Sequence, residues 1–301
     1  MGKKELRPMG LDDIETASAY IRAKQSAPAS SCKVCPRDIA AIQSHLRNLI
    51  DHPDDFVLVV YTDGTVRAGR TGGAITGLGA FLHDPAGSYL ECLGGFYDNE
   101  ADFALILGYL RGKFRDHRID FVYPPENTTA LGYLQRAGAV FEKAQRCFEI
   151  GPQDFIPKPA RQAIDSTVPE IVPLSDPLRA EYCRIHQDEG RYWTAERVMA
   201  APETFKVFLS MDGDRAAGYI DSTYNKDPAE IYDLFIVEDY WGTGRDEALL
   251  NRAISELLTG RNRLFVQVDA DDASIAALYT GFGALETSRS QTASLLFVAR
   301  V

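Results

Sequence analysis

The chain has 301 residues, 45% of them hydrophobic, so at about 100 to 200 residues per domain it divides into two domains with enough apolar material for a core in each. Charged residues at 25% and aromatics at 10% exclude disordered, collagen-like and coiled-coil classes, and a net charge of -11 opposes phosphate backbones and anionic lipid, so neither nucleic acid nor a membrane is expected as a partner. No apolar run approaches the roughly 20 residues of a membrane span, and the opening Met1-Gly2-Lys3-Lys4-Glu5-Leu6-Arg7 has basic residues with no apolar stretch behind them, so the expected compartment is the cytoplasm.

Along the chain, the first distinctive feature is Cys32-Lys33-Val34-Cys35. Zinc wants four ligands, no second cysteine pair exists, and the five histidines are dispersed, so no metal is expected and the pair reads as two small thiols at a helix start. Ile39, Ile42, Leu46, Leu49 and Ile50 then form a helical stripe after Pro36. Phe56 to Tyr61 runs into Asp63-Gly64, which predicts a strand, a tight turn and a return strand. A second strand pair is expected next, followed by a helix carrying Phe103, Ile106, Leu107, Leu110 and Phe114. Gly151 to Pro159 holds three prolines in nine residues and cannot continue a helix or a central strand. This places a linker at 151–164 between domains 1–150 and 165–301.

The second half repeats the order. His186, Asp188 and Glu189, followed by Arg191-Tyr192-Trp193, read first as a solvated helix end and second as a holder for a cationic amine. Phe205 to Leu209 runs into Asp212-Gly213, a second hairpin, and Leu250, Ala253, Ile254, Leu257 and Leu258 fall at helical spacing before Gly260. Asn127, Leu134 and Gly138 stand 145 positions before Asp272, Tyr279 and Gly283, and the same shift lays residues 120–123 on 265–268. Such agreement without a gap indicates two copies of one α/β unit, each beginning with helices and ending with strands.

The chemistry concentrates in Leu234 to Leu250, which runs strand, loop, helix. A loop of small residues entering a helix leaves backbone N–H groups pointing outward beside the positive end of the helix dipole, a cradle for a phosphate or pyrophosphate. The alternative is a strand-to-helix turn that needs Gly242 and Gly244 for backbone reasons only. Later, Asp272 to Ala284 reads as a short helix ending in glycine.

Together these two segments resemble the GNAT superfamily of N-acetyltransferases, in which a strand is followed by [QR]-x-x-G-x-[GA] and later by N-x-x-A-x-x-x-Y. The first motif falls on Trp241-Gly242-Thr243-Gly244-Arg245-Asp246, where Gly244 matches while Trp241 and Asp246 depart; the second falls on Asp272 to Tyr279, with Asp for Asn and the tyrosine kept. The resemblance implies an α/β fold of two tandem GNAT-like domains, each a central mixed sheet flanked by helices. It implies acetyl-CoA as co-substrate, held by the backbone of Phe235, Ile236 and Val237 and by Gly242, Thr243, Gly244, Arg245 and Asp272. An amine on a small molecule or peptide would be the acceptor, with Tyr279 as acid and Asp233 or Glu230 as base. Moving Gly242 to Gly244 back by 145 lands on Tyr97, Asp98 and Asn99, and the tyrosine position becomes Leu134, so the first copy is expected to keep the fold and lose the cofactor. The rival expectation is a non-catalytic double-GNAT scaffold or a CoA sensor.

Overall fold

Alternation and helical spacing set the elements over residues 3–62, 73–158, 169–189, 191–225 and 228–297, which the computed structural model describes. The first half runs β1 (Lys4–Pro8), α1 (Ile14–Gln25), α2 (Ile39–Asp51), β2 (Phe56–Thr62), β3 (Ala74–Asp84), β4 (Tyr89–Tyr97), α3 (Glu100–Lys113), β5 (Arg118–Tyr123), α4 (Thr128–Arg136), β6 (Val140–Phe141) and β7 (Gln145–Ile150). The second runs β8 (Glu170–Pro173), α5 (Arg179–Ile185), α6 (Ala195–Ala200), β9 (Phe205–Asp212), β10 (Arg215–Thr223), β11 (Ala229–Ile236), α7 (Arg245–Leu257), β12 (Leu264–Asp269), α8 (Ala273–Gly281) and β13 (Leu285–Leu296). The expected turn at Asp63-Gly64 and the linker beyond Lys158 lie outside the described residues.

Two compact units result, one of residues 1–144 with 289–301 and one of residues 145–288. The units therefore depart from chain order at their ends: β7 belongs to the second, and β13 from Arg289 onward belongs to the first. In the first unit β1 to β4 form an antiparallel meander, β5 joins β4 in parallel, and Gln291 to Leu296 of β13 pair antiparallel with β5. In the second, β8 to β11 form the meander, β12 joins β11 in parallel, and β7 closes on β12 antiparallel. Each sheet is mixed and carries helices. The stripe of α2 buries Ile42, Leu46 and Leu49 in the first core, while α7 buries Leu249, Leu250, Ala253, Ile254 and Leu257 in the second.

Two sequence expectations are corrected. Each unit opens on a short edge strand, β1 or β8, before its helices. Lys4 to Pro8 has one apolar side chain in five and faces water on its outer side, so period-2 alternation is faint there. The expected second strand pair is also a single added strand, β4 or β11, that extends the hairpin into a three-strand meander.

The repeat survives in three dimensions. Helices α4 and α8 span the same 145-shifted residues, and their N-caps match: Asn127 accepts from the Ala130 amide at 3.0 Å and Asp272 from the Ile275 amide at 2.9 Å.

Candidate functional site

The second unit's opening lies between its two parallel strands. β11 and β12 pair only at Ala229–Leu264, Glu230–Phe265 and Ile231–Val266, then part, although β11 continues to Ile236 and β12 to Asp269. The parting starts at a bulge, because Ser222 pairs with Ile231 while Asp221 pairs with Asp233, leaving Tyr232 extra on β11. The bulge resets the faces: Ile231, Leu234 and Ile236 pack in the core under α7, and Phe235 packs with Tyr219 and α5 on the other side. Val237 donates its amide to the Ala217 carbonyl at 2.9 Å, so by alternation the Ile236 backbone faces away from β10, toward the gap.

Beyond β11 the chain turns through Glu238–Tyr240 and enters α7 by way of Gly242 (φ +72°) and Gly244 (φ +80°). Only glycine adopts such values freely, and no side chain caps this helix. Among the described residues the amides of Gly244, Arg245 and Asp246 have no acceptor, whereas Glu247 donates its amide to the Asp246 carboxylate at 2.9 Å. Asp246 thus fills part of the cradle that it borders. Trp241, 67% exposed, donates its indole N–H to the Ile236 carbonyl at 2.9 Å, occupying an acceptor that faces the gap. Thr243 Oγ1 turns back to the Tyr240 carbonyl at 2.6 Å. Arg245 points inward, donating to Ser210 Oγ at 2.9 Å and the Met211 carbonyl at 2.7 Å, so its backbone rather than its guanidinium faces the loop.

Asp233 lies past the parting point, accepting from the Tyr219 hydroxyl and pairing with Arg191. Glu230 lies in the closed, paired stretch, with Gln267 Nε2 3.5 Å from its carboxylate. Tyr279 is buried on α8; burial, followed by the charges of Asp233 and Asp221, raises the pKa of its phenol and keeps it protonated. Asp272 is spent on capping α8.

Asp221 and Tyr182, which the sequence does not single out, join His186 and Asp188 to complete the picture. Asp221 on β10 is fully buried, accepts from the Tyr182 hydroxyl at 2.8 Å and lies 3.4 Å from His186 Nε2. His186 Nδ1 meets Asp188 at 2.6 Å. Burial pushes the Asp221 carboxyl up, with His186 opposing and Asp233 adding to it. For His186, burial works against the charge but Asp221 and Asp188 outweigh it, so its pKa is raised. The sequence shows only that Asp221 follows the apolar run Ala216 to Ile220. The 186–193 segment, read first as a solvated helix end, instead places His186 in the interior and Arg191 on Asp233.

The first unit has closed the equivalent places. β4 and β5 also pair for only part of their length, Tyr89–Arg118 to Cys92–Phe121, but the gap beyond holds the Cys32 thiol, against the Gly95 backbone and 3.8 Å from the Val122 carbonyl. Tyr123 donates across it to the Gly95 carbonyl at 3.1 Å. Cys32 and Cys35 are both buried; burial raises both thiols, Cys35 to about 12. At the start of α3, Asn99 caps the Ala101 and Asp102 amides with its own carboxamide, and Asp102 is buried beneath Lys4 at 2.6 Å. Among the described residues no group of three or more His, Cys, Asp or Glu side chains is placed to hold a metal, and no helix is long and apolar enough to cross a membrane.

No family model matches the chain, and no curated protein matches it. Solved structures do. A GCN5-related N-acetyltransferase from Sphaerobacter thermophilus aligns over 99% of this chain and 97% of its own, with a TM-score of 0.64 at 15% identity. A tandem GNAT protein from the clavulanic acid biosynthesis pathway aligns over 99% of this chain and all of its own (100%), with a TM-score of 0.59 at 12% identity. A GCN5-related glucosamine N-acetyltransferase region of a fungal multi-domain GH3 β-N-acetylglucosaminidase aligns over 98% of this chain and 38% of its own, with a TM-score of 0.65 at 10% identity. With the parted parallel strands and the glycine-entered helix, these matches establish that the chain has the GNAT fold, in two tandem copies.

Proposed function

We propose that the chain is an N-acetyltransferase whose second unit binds acetyl-CoA and passes acetyl to a primary amine of a small molecule or peptide by direct attack. The observation that carries this reading is the parting of β11 and β12 at the foot of a helix whose first amides are uncapped. The pyrophosphate would sit on the amides of Gly244 to Asp246, and the pantetheine arm would lie along β11 as an added strand does. Asp233 is the better base of the two candidates, because it lies past the parting point while Glu230 lies before it. A primary amine is protonated near neutral pH and must shed a proton before it attacks the thioester, which is the work given to Asp233. Tyr279, held in its phenol form, donates to the departing sulfur.

A non-catalytic scaffold or CoA sensor is the second reading, favoured by Trp241 on the Ile236 carbonyl and by Asp246 in the cradle. Thermal shift with acetyl-CoA, followed by thiol release in the presence of free lysine, spermidine, glucosamine and a lysine peptide, separates the two. Binding with release supports the transferase, binding without release the sensor, and neither the scaffold.

A further inference from the structure

Burying a carboxylate is costly even when it is paired, so a fully buried Asp221 inside a sheet calls for a reason beyond folding. The register puts Asp221 directly opposite Asp233, and on one face of an antiparallel pair such side chains stand about 5 Å apart at Cβ. Like charges so placed repel. Asp233 itself is held by Tyr219 and Arg191. We propose that Asp221, held ionised by His186, is a positioning residue that strengthens Asp233 as the proton acceptor for the incoming amine; the inference rests on the acetyltransferase reading above.

Three features point the same way. His186 is set between two carboxylates, Asp188 on Nδ1 and Asp221 toward Nε2, the arrangement that suits an imidazolium. Its Nε2 approaches Asp221 Oδ2 at 3.4 Å, so the imidazole and the buried carboxyl lie side by side. The rings of Tyr182 and Tyr219 enclose His186, at 5.0 and 5.1 Å between centroids, and keep the local dielectric low. The groups facing this pair of carboxylates are Tyr182, His186, Arg191, Tyr219, Tyr232 and Tyr279, of which only His186 and Arg191 bear positive charge.

In the reaction an N–H bond of the ammonium breaks and its proton goes to an Asp233 oxygen. The freed lone pair forms the C–N bond at the thioester carbonyl, and the C–S electrons leave on sulfur, which takes the Tyr279 proton. Return of the Asp233 proton to Tyr279 through solvent, and loss of the second ammonium proton, give amide, thiol and one released proton.

The test is a carboxyl titration of the full chain, 13C-labelled at aspartate, in the wild type and in Asp221→Asn, beside the pH profile of kcat/KM with acetyl-CoA and the best acceptor among free lysine, spermidine and glucosamine. The expected result is an Asp233 midpoint and an acid limb that both fall by about one pH unit in Asp221→Asn, with plateau turnover several-fold lower. An unmoved Asp233 midpoint overturns the proposal while leaving the acetyltransferase reading intact. Retained turnover in Asp233→Asn removes the base assignment and the role of Asp221 with it. Should Asp221→Asn fail to fold, the 15N titration of His186 in the wild type decides: an imidazolium persisting above the ordinary value of about 6.5 supports the proposal, and a neutral ring at pH 7 overturns it.

Discussion

At the scale of single residues, Tyr279 and Asp246 carry the sharpest tests. The Tyr279 phenol is buried and kept protonated, so Tyr279→Phe removes the donor while keeping the ring in the core. Turnover should fall about 10²-fold with CoA affinity unchanged, as measured by steady-state kinetics beside calorimetric titration. Unchanged turnover would make the tyrosine a packing residue only. Asp246 sets a carboxylate among the amides proposed for the pyrophosphate, and at about 7 Å such a charge repels phosphate by roughly 1 kcal/mol. Asp246→Asn keeps the bond to the Glu247 amide and discards the charge, so CoA should bind several-fold more tightly at low salt, with the gain shrinking as salt rises. Equal affinity at low salt would move the pyrophosphate away from this helix. Part of this scale was legible beforehand: Gly242 and Gly244 stand out by residue type, and both take positive φ at the entry to α7. Asp221 was not, because its meaning comes from the residue across the strand, and a single sequence does not contain the register.

Helices were the more readable elements, since a stripe such as that of α7 must face a core whatever surrounds it. Strands at the edges were not, because β1 and β8 bury little and draw their order from one neighbour each. Beyond its ladder with β2, β1 is held by an ion pair. Arg7 donates to both Asp13 oxygens, at 2.7 and 2.8 Å, and Tyr61 adds a third bond at 2.9 Å. The Arg7 bond is the largest influence holding the Asp13 carboxyl down, at about 2, against the cost of partial burial. A carboxyl lowered on folding stabilises the fold above the ordinary carboxylate range, and that stability is lost as pH falls through about 2. Since Arg7 is partly solvated, Asp13→Asn should cost about 1 kcal/mol at pH 7, the difference narrowing between pH 4 and pH 2 in urea unfolding curves. A penalty independent of pH would place the effect in packing.

For the whole molecule the first question is how many cofactors bind. The first unit answers with a capped helix start, a buried Asp102 and a thiol in the gap between its parallel strands, while the second has uncapped amides there. Calorimetry with CoA should therefore saturate at about one site per chain, and two equal sites would contradict the closed first gap. The exchange of last strands was the largest feature hidden from the sequence, because the linear repeat assigns β7 and β13 to the halves they follow, while pairing assigns them by sheet edge.

That exchange has a meaning in time. On the ribosome β5 emerges early, yet the strand that covers it, residues 291–296, is made only after the whole of residues 145–288. The first-made unit is thus the last to be finished, and until then it offers a bare strand edge to any extended chain nearby. A chain truncated after Ser288 and released from the ribosome should show protease protection across the second unit and cleavage within the first; equal protection of both would mean that the late strand is dispensable. A duplicated protein ordinarily lets each copy mature alone, but here the order of birth and the order of completion are reversed.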